Sequence, residues 1–283
     1  MGRVQGKVAF ITGAARGQGR SHAVHLAEEG ADIIAVDICA DIASNEYPLA
    51  RPEDLDETAR LVEKTGRRIV AVQADVRDRT ALDAAVQTGI AELGALDIVV
   101  ANAGICPLGE GLPVQAFIDA VDVDLIGVLN AVHVALPHLG AGASIILTGS
   151  VAGLLSSSSS GSGPQGLGGA GYNLAKRVIV DYSTTLAVKL APQSIRVNAV
   201  HPTNCNTDML QSEPMYKTFR PDLPNPTVEE AEAGFRSFQA MPVPWVEPAD
   251  ISHAVVYLAS DESRYVTGLQ LKVDAGATVS KIG

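Results

Sequence analysis

The sequence predicts one α/β domain of 283 residues, built on a doubly wound sheet of about seven parallel strands with helices on both faces. Three observations predict it. Short apolar runs recur at fairly even intervals, amphipathic segments separate them, and a glycine-rich turn joins the first run to the first helix. Most runs show little internal alternation, the pattern of strands covered on both faces.

Taken in order, the runs fall at residues 8–11, 33–36, 69–72, 98–101, 145–147, 195–200 and 269–273. Helices are expected at 21–29, 81–92, 117–136 and 172–191. Alternating strand and helix implies right-handed crossovers, so the chain winds into a single domain spanning 1–283. With 47% hydrophobic residues and only 4% aromatic, the core is expected to be Val, Ile, Leu and Ala. A chain this long buries enough apolar surface to need no disulfide or metal staple.

Three segments break the rhythm. Residues 38–52, after the second strand, form an insertion with Pro48, Pro52 and Asn45. Residues 154–171 hold five consecutive serines (156–160) and many glycines, the composition of a linker. Their position between strand five and a helical segment places them instead in a loop on the active-site side. Residues 204–248 are Pro-rich yet carry Leu210, Met215, Phe219, Phe235, Phe238 and Trp245. An apolar, irregular insertion near a strand's carboxyl end is suited to serve as a substrate-covering lid.

The net charge of −11 repels phosphate backbones and argues against a nucleic-acid partner. Cys39, Cys106 and Cys205 are scattered and form no CxxC pair, which fits a reducing compartment. Residues 1–7 lack the apolar core of a signal peptide, and no stretch approaches about twenty uninterrupted apolar residues. A cytoplasmic location and no membrane partner are therefore expected.

After the first strand, Thr12-Gly13-Ala14-Ala15-Arg16-Gly17-Gln18-Gly19 opens directly into a helix. Its glycines allow a tight turn and let backbone N–H groups approach a pyrophosphate at the positive helix end, as in a Rossmann-type fold. Asp37 ends the second strand, eighteen residues beyond Gly19. Its carboxylate suits the adenosine ribose hydroxyls and repels a 2′-phosphate, so NAD is the expected cofactor. Arg16 argues the other way, since a guanidinium in the turn could reach that phosphate. Asp75-Val76 at the end of strand three suits the adenine edge, and Asn102-Ala103-Gly104 after strand four leaves room for the dinucleotide.

Tyr172 and Lys176 lie four residues apart, on one face of a helix. A tyrosine titrates near pH 10, too high for a base at neutral pH. A neighbouring ammonium and the positive charge of a nicotinamide favour the phenolate.

Together with Ser150, these motifs in this order resemble the short-chain dehydrogenase/reductase superfamily over nearly the whole chain, to Val273-Asp274-Ala275-Gly276. The resemblance implies Tyr172 as general acid/base, Lys176 on the nicotinamide ribose, and Ser150 holding the substrate oxygen. Pro202, Thr203, Asn204 and Thr207 match the segment bordering the nicotinamide amide. Ser150 also reads as a turn or helix cap; its place directly after strand five selects it among the nearby serines. The pattern departs at Val123-Asp124-Leu125, where the family commonly has an Asn completing a proton relay. An ionised Asp accepts hydrogen bonds but cannot donate them, so Asp124 implies altered pH dependence or impaired activity.

Within the superfamily the chain is most similar to the carveol-dehydrogenase-like, mycofactocin-associated branch, through residues 12–20, Val36-Asp37-Ile38-Cys39, Tyr47-Pro48-Leu49 and His201-Pro202-Thr203. There the insertion is associated with tightly held NAD, re-oxidised by an external redox carrier; a plain surface loop is the other reading. The six histidines show no metal-ligand spacing, and no metal is expected. An NAD-dependent dehydrogenase for a secondary alcohol and its ketone, with cyclic and terpenoid alcohols as the candidates, leads. An NADP-dependent carbonyl reductase and a non-catalytic dinucleotide-binding protein are the alternatives. The resemblance further implies a homotetramer or dimer built through the helices after strands four and five.

Overall fold

The computed structural model describes residues 2–109, 111–155 and 164–281. Seven strands form one parallel sheet: β1 (Val8–Thr12), β2 (Asp32–Asp37), β3 (Ile69–Gln73), β4 (Ile98–Ala101), β5 (Ser144–Thr148), β6 (Arg196–Pro202) and β7 (Gln270–Val273). Their spatial order is β3-β2-β1-β4-β5-β6-β7. All seven coincide with the expected runs, and several extend by a residue or two. The added ends are polar or Pro, such as Asp32, Asp37, Thr148 and Pro202, which pair in the ladder without reading as apolar. Sequence order reverses between β1 and β4, which opens a crevice at the carboxyl ends of those strands.

Two apolar layers sandwich the sheet. One joins it to α3 (Arg79–Leu93), α5 (Gly127–Ala135) and α7 (Gly166–Leu190) through Leu82, Val86, Val132 and Ile179. The other joins it to α1 (Gly17–Glu28), α2 (Pro52–Lys64) and α10 (Pro248–Ala259) through Leu26, Leu55, Ile251 and Val255. The fully buried residues are mostly aliphatic, with Phe10 and Phe235 the aromatic exceptions.

Several expectations are corrected. The single helix at 117–136 is α4 (Val114–Val121), a π-helical turn (Asp122–Ile126) and α5, ending in a 3-10 turn. By length and composition Val114–His138 is apolar enough to cross a membrane, but half of that window is buried inside this fold. Residues 166–171 belong to α7 and not to a loop. Their glycines serve close packing: a Cβ on Gly168 would lie 2.2 Å from the Pro107 carbonyl oxygen, and one on Gly171 2.5 Å from that of Phe117. The five serines lie outside the described residues. Residues 204–248 are less irregular than expected, holding α8 (Glu213–Phe219) and α9 (Val228–Phe238). Pro214 in the first turn of α8 and a Thr227–Glu230 capping box on α9 start those helices.

Candidate active site

The site lies where β1 and β4 diverge, in two adjoining cavities that share Gln18, Asn102, Gly104, Thr207 and Met209. The smaller, about 160 Å³, lies over the glycine-rich turn, Asp37, Asp75 and Val76. The larger, about 400 Å³, holds Ser150, Tyr172, Lys176 and Asp124 along with Pro202, Thr203 and Asn204. Thus every candidate catalytic and cofactor-binding residue lines one of these two adjoining cavities.

At the smaller end, α1 begins within the turn. A Cβ on Gly19 would sit 1.9 Å from the Gly13 carbonyl oxygen, so only glycine lets helix and turn meet there. Asp37 is buried, and its carboxylate oxygens accept the N–H groups of Ala15 at 3.0 Å and Cys39 at 3.1 Å. Burial raises the Asp37 carboxyl, against those bonds and the Arg16 charge. Cys39 makes this grip with a left-handed backbone, φ 49°. Arg16, weighed above as a 2′-phosphate ligand, is engaged otherwise. Its Nη2 donates to the Pro48 carbonyl at 2.5 Å, and its Nε lies 3.3 Å from Asp208. Asp75 is held by Arg77 through Nε at 2.8 Å and Nη2 at 2.6 Å, which orients its carboxylate at the cavity wall.

Asn102 locks the turn to β4: its Nδ2 donates to the Thr12 carbonyl at 3.1 Å, and its N–H and that of Ala103 reach Thr12 Oγ1. Two buried polar atoms lining these cavities, Gln18 Oε1 and Asn204 Nδ2, have no hydrogen-bond partner among the described residues. A carboxamide at each end of a glycine cradle, with a carboxylate beyond, is a donor and acceptor set that fits a dinucleotide.

The larger cavity carries the chemistry. Ser150 starts the short helix α6 (Val151–Leu154); its Oγ accepts the Ala152 N–H at 3.1 Å and hydrogen-bonds Tyr172. It is therefore both a cap and a partner of the phenol. Lys176, 3% exposed, donates from Nζ to the Thr148 carbonyl at 3.0 Å and lies 5.5 Å from the Tyr172 ring centroid. Asp124 is fully buried in the π-helical turn, its Oδ1 3.0 Å from Lys176 Nζ and its Oδ2 accepting the Ile105 N–H at 3.2 Å. The Nζ–Oδ1 contact is an ion pair whose angle falls short of a hydrogen bond. Gly104 makes room for it, since a Cβ there would lie 2.6 Å from Asp124 Oδ1.

Among the residues present, burial raises the Tyr172 pKa, with Cys106 and Asp124 adding and the Ser150 bond opposing. An ammonium paired with a carboxylate projects little net field onto the phenol. Burial likewise raises the Asp124 carboxyl, against the pull of Lys176. It pushes the Cys39 and Cys205 thiols up to about 12 and holds Cys106 well above its ordinary value, so none of the three is a ready nucleophile.

Apolar side chains line much of this cavity, among them Val151, Leu155, Leu210, Met215 and Phe219, and Tyr172 packs against the cluster that holds Leu210 and Met215. Phe235 packs edge-on to Phe219, ring centroids 4.7 Å apart. Two contributors escaped the sequence reading. Tyr47, from the insertion, accepts the Cys106 N–H at 3.2 Å beside the larger cavity. His201, buried at the end of β6, touches the Ser150 backbone. A polar residue inside an otherwise apolar strand was the signal for the second; nothing local marked the first.

Residues 13–278 match the family described as enoyl-(acyl carrier protein) reductase. A (-)-trans-carveol dehydrogenase of Rhodococcus erythropolis is 46% identical, covering 99% of this chain and 100% of its own. The crystal structure of carveol dehydrogenase from Mycobacterium avium in complex with NAD superposes with a TM-score of 0.92 at 48% identity, covering 99% of this chain and 100% of that one. A short chain dehydrogenase from Mycobacterium paratuberculosis bound to NAD superposes with a TM-score of 0.85 at 40% identity, over 98% and 100%.

Proposed function

The chain belongs to the short-chain dehydrogenase/reductase family, and on that footing we propose that it is an NAD-dependent dehydrogenase interconverting an apolar secondary alcohol, cyclic or terpenoid, and its ketone. The observation that carries the reading is the meeting of Tyr172, Ser150 and Lys176 in a cavity much of whose lining is apolar, adjoining the one that holds Asp37. The carveol dehydrogenases among the relatives support the substrate class.

In oxidation, Tyr172 Oη takes the proton of the alcohol while Ser150 Oγ holds the same oxygen. When bound, NAD supplies the acceptor for the hydride leaving the carbinol carbon. Lys176, anchored by Thr148 and Asp124, would hold the nicotinamide ribose through Nζ. Pro202, Thr203, Asn204 and Thr207 would border the nicotinamide amide, and Asp37 would accept from the ribose hydroxyls at the adenosine end. With Arg16 tied to Pro48 and Asp208, no observation favours the NADP-dependent reductase.

The insertion covers the adenosine end in this reading and retains NAD for re-oxidation by an external redox carrier. Three ties support it: Arg16 to Pro48, Tyr47 to Cys106, and Ser44 Oγ donating to Asp119 at 2.6 Å. The helices α8 and α9 act as the substrate lid. A homotetramer is supported by exposed apolar side chains on α4 (Val114, Ile118) and α7 (Leu174, Val178). Three buried free thiols fit a cytoplasmic location.

The test is to purify the protein without nucleotide, denature it, identify any released dinucleotide, and assay cyclic secondary alcohols with NAD and with artificial electron acceptors. Near-stoichiometric NAD and a Tyr172→Phe variant at least a hundredfold slower are expected. Released NADP, or undiminished turnover in Y172F, refutes the assignment.

A further inference from the structure

His201 is fully buried on β6, between β5 and β7 and directly behind Ser150. The Ser150 N–H donates to its Nδ1 at 3.2 Å, and the Ser150 carbonyl, which accepts the Gly153 N–H at 3.0 Å, lies 3.1 Å from the same nitrogen. On the far side, His201 Nε2 lies 2.7 Å from Gln270 Oε1 on β7. Gln270 Nε2 in turn donates to Ser183 Oγ at 2.8 Å and Thr184 Oγ1 at 3.3 Å, both on α7. These two hydroxyls donate their own protons to the Val180 carbonyl, so toward Gln270 they can only accept.

That sets every proton in the chain. Gln270 must turn its amide nitrogen to the hydroxyls and its oxygen to the imidazole, so Nε2 carries the ring proton. The neutral ring then leaves its Nδ1 lone pair for Ser150. Burial, reinforced by the charges of Lys176 and Lys272, lowers the His201 pKa and so favours the neutral ring, against the pull of Gln270 and of the Ser150 carbonyl on the protonated one. The preceding residue is shaped for the same contact: a Cβ on Gly149 would lie 2.4 Å from both Cε1 and Nδ1 of His201. The Gly149 N–H donates to the Val200 carbonyl at 2.8 Å, and among the described residues the imidazole is the acceptor for the next donor, the Ser150 N–H.

We propose that His201 is the positioning residue for Ser150, a histidine that clamps the serine's backbone so that its hydroxyl stays on the reacting oxygen, and that Gln270 and Ser183 tie this clamp to the helix that carries Tyr172 and Lys176. The inference rests on the reading of Ser150 given above and deepens it.

The test is a set of variants in NAD-loaded enzyme: Ser150→Ala, His201→Leu, His201→Asn and the S150A/H201L pair, with kcat, KM and retained NAD measured for each. H201L should lower kcat about tenfold or more, since small displacements of a reacting group carry large rate costs, with NAD content unchanged. H201N should recover most of the loss, because its Oδ1 can accept from Ser150 where Nδ1 did. Added to S150A, H201L should cost less than about twofold, as expected of residues acting as one unit. A wild-type kcat in H201L, no recovery in H201N, or a full further loss in the pair overturns the clamp while leaving Ser150 in place. An unaltered kcat in S150A instead overturns the role of Ser150 and the clamp with it. Should H201L fail to fold, Gln270→Met, which removes only the Nε2 partner, carries the same cycle: a loss absent in S150A supports the clamp, and an additive loss refutes it.

Discussion

Replacing Asp124 by Asn should move alcohol oxidation to lower pH while making the protein less stable. Lys176 Nζ lies 5.5 Å from the Tyr172 ring centroid. At an effective dielectric constant of about 20, a unit charge at that range favours the phenolate by about 3 kcal/mol. The Asp124 carboxylate 3.0 Å from the ammonium cancels much of this. Removing the negative charge restores roughly half, about 1.4 kcal/mol, or about one pH unit in the rising limb of oxidation. The sign follows because Asp124 raises the Tyr172 pKa, so its removal lowers it. The same change leaves the buried ammonium without a counter-charge. That costs about 3 kcal/mol, the low end for a broken buried pair, because the dipole of an amide oxygen still faces Nζ and Thr148 still accepts from it. The assay is single-turnover oxidation in NAD-loaded enzyme from pH 6 to 10 (about the span that brackets a tyrosine's limb), beside thermal unfolding. A limb that stays put or moves to higher pH refutes the argument that Asp124 masks Lys176.

Asp37→Asn should reduce the preference for NAD over NADP in kcat/KM by at least about tenfold, since the repulsion of a 2′-phosphate disappears. Arg16→Ala should speed NAD release about tenfold, because the charged bond to Pro48 and the pair with Asp208 are lost together; stopped-flow displacement measures it. Gly19→Ala should empty the protein of nucleotide, the new methyl colliding with the Gly13 carbonyl; absorbance of the denatured supernatant checks it. Burial alone would raise the Asp32 carboxyl, but hydrogen bonds from Arg68 and the charges of Arg67 and Arg68 hold it below the usual range. Its stabilisation is therefore present above the unfolded pKa and lost as pH falls. Asp32→Asn should cost about 1–3 kcal/mol at neutral pH, a gap that closes below about pH 4 in denaturant titrations.

The strands were legible because a parallel strand buried on both faces is a short, unbroken apolar run, and β1, β2, β4 and β5 are almost nothing else. The glycine-rich turn, Asp37, Tyr172 and Lys176 were legible because their spacing carries the chemistry wherever strand and helix alternate. Helix boundaries were less so. The glycines at 166–171 read as a loop from composition, yet they are helical because α7 must approach the backbones at Pro107 and Phe117. Only the partner surface distinguishes a glycine kept for freedom from one kept for closeness.

What the sequence by itself determined was the order of elements, the cofactor crevice and the identities of the groups that meet there. Tertiary structure alone decided how those groups modify one another. Asp124 becomes the counter-ion of Lys176 only when a π-helical turn and α7 bring residues 52 positions apart to 3.0 Å. Arg16 is engaged by Pro48 and Asp208, which arrive from two separate segments to hold it. His201 reaches Ser150 across 51 residues, through strands that pair in register. Charge and hydrogen bonding depend on distances of a few ångströms, and spacing along a chain sets such distances only within one turn of helix or one step of strand.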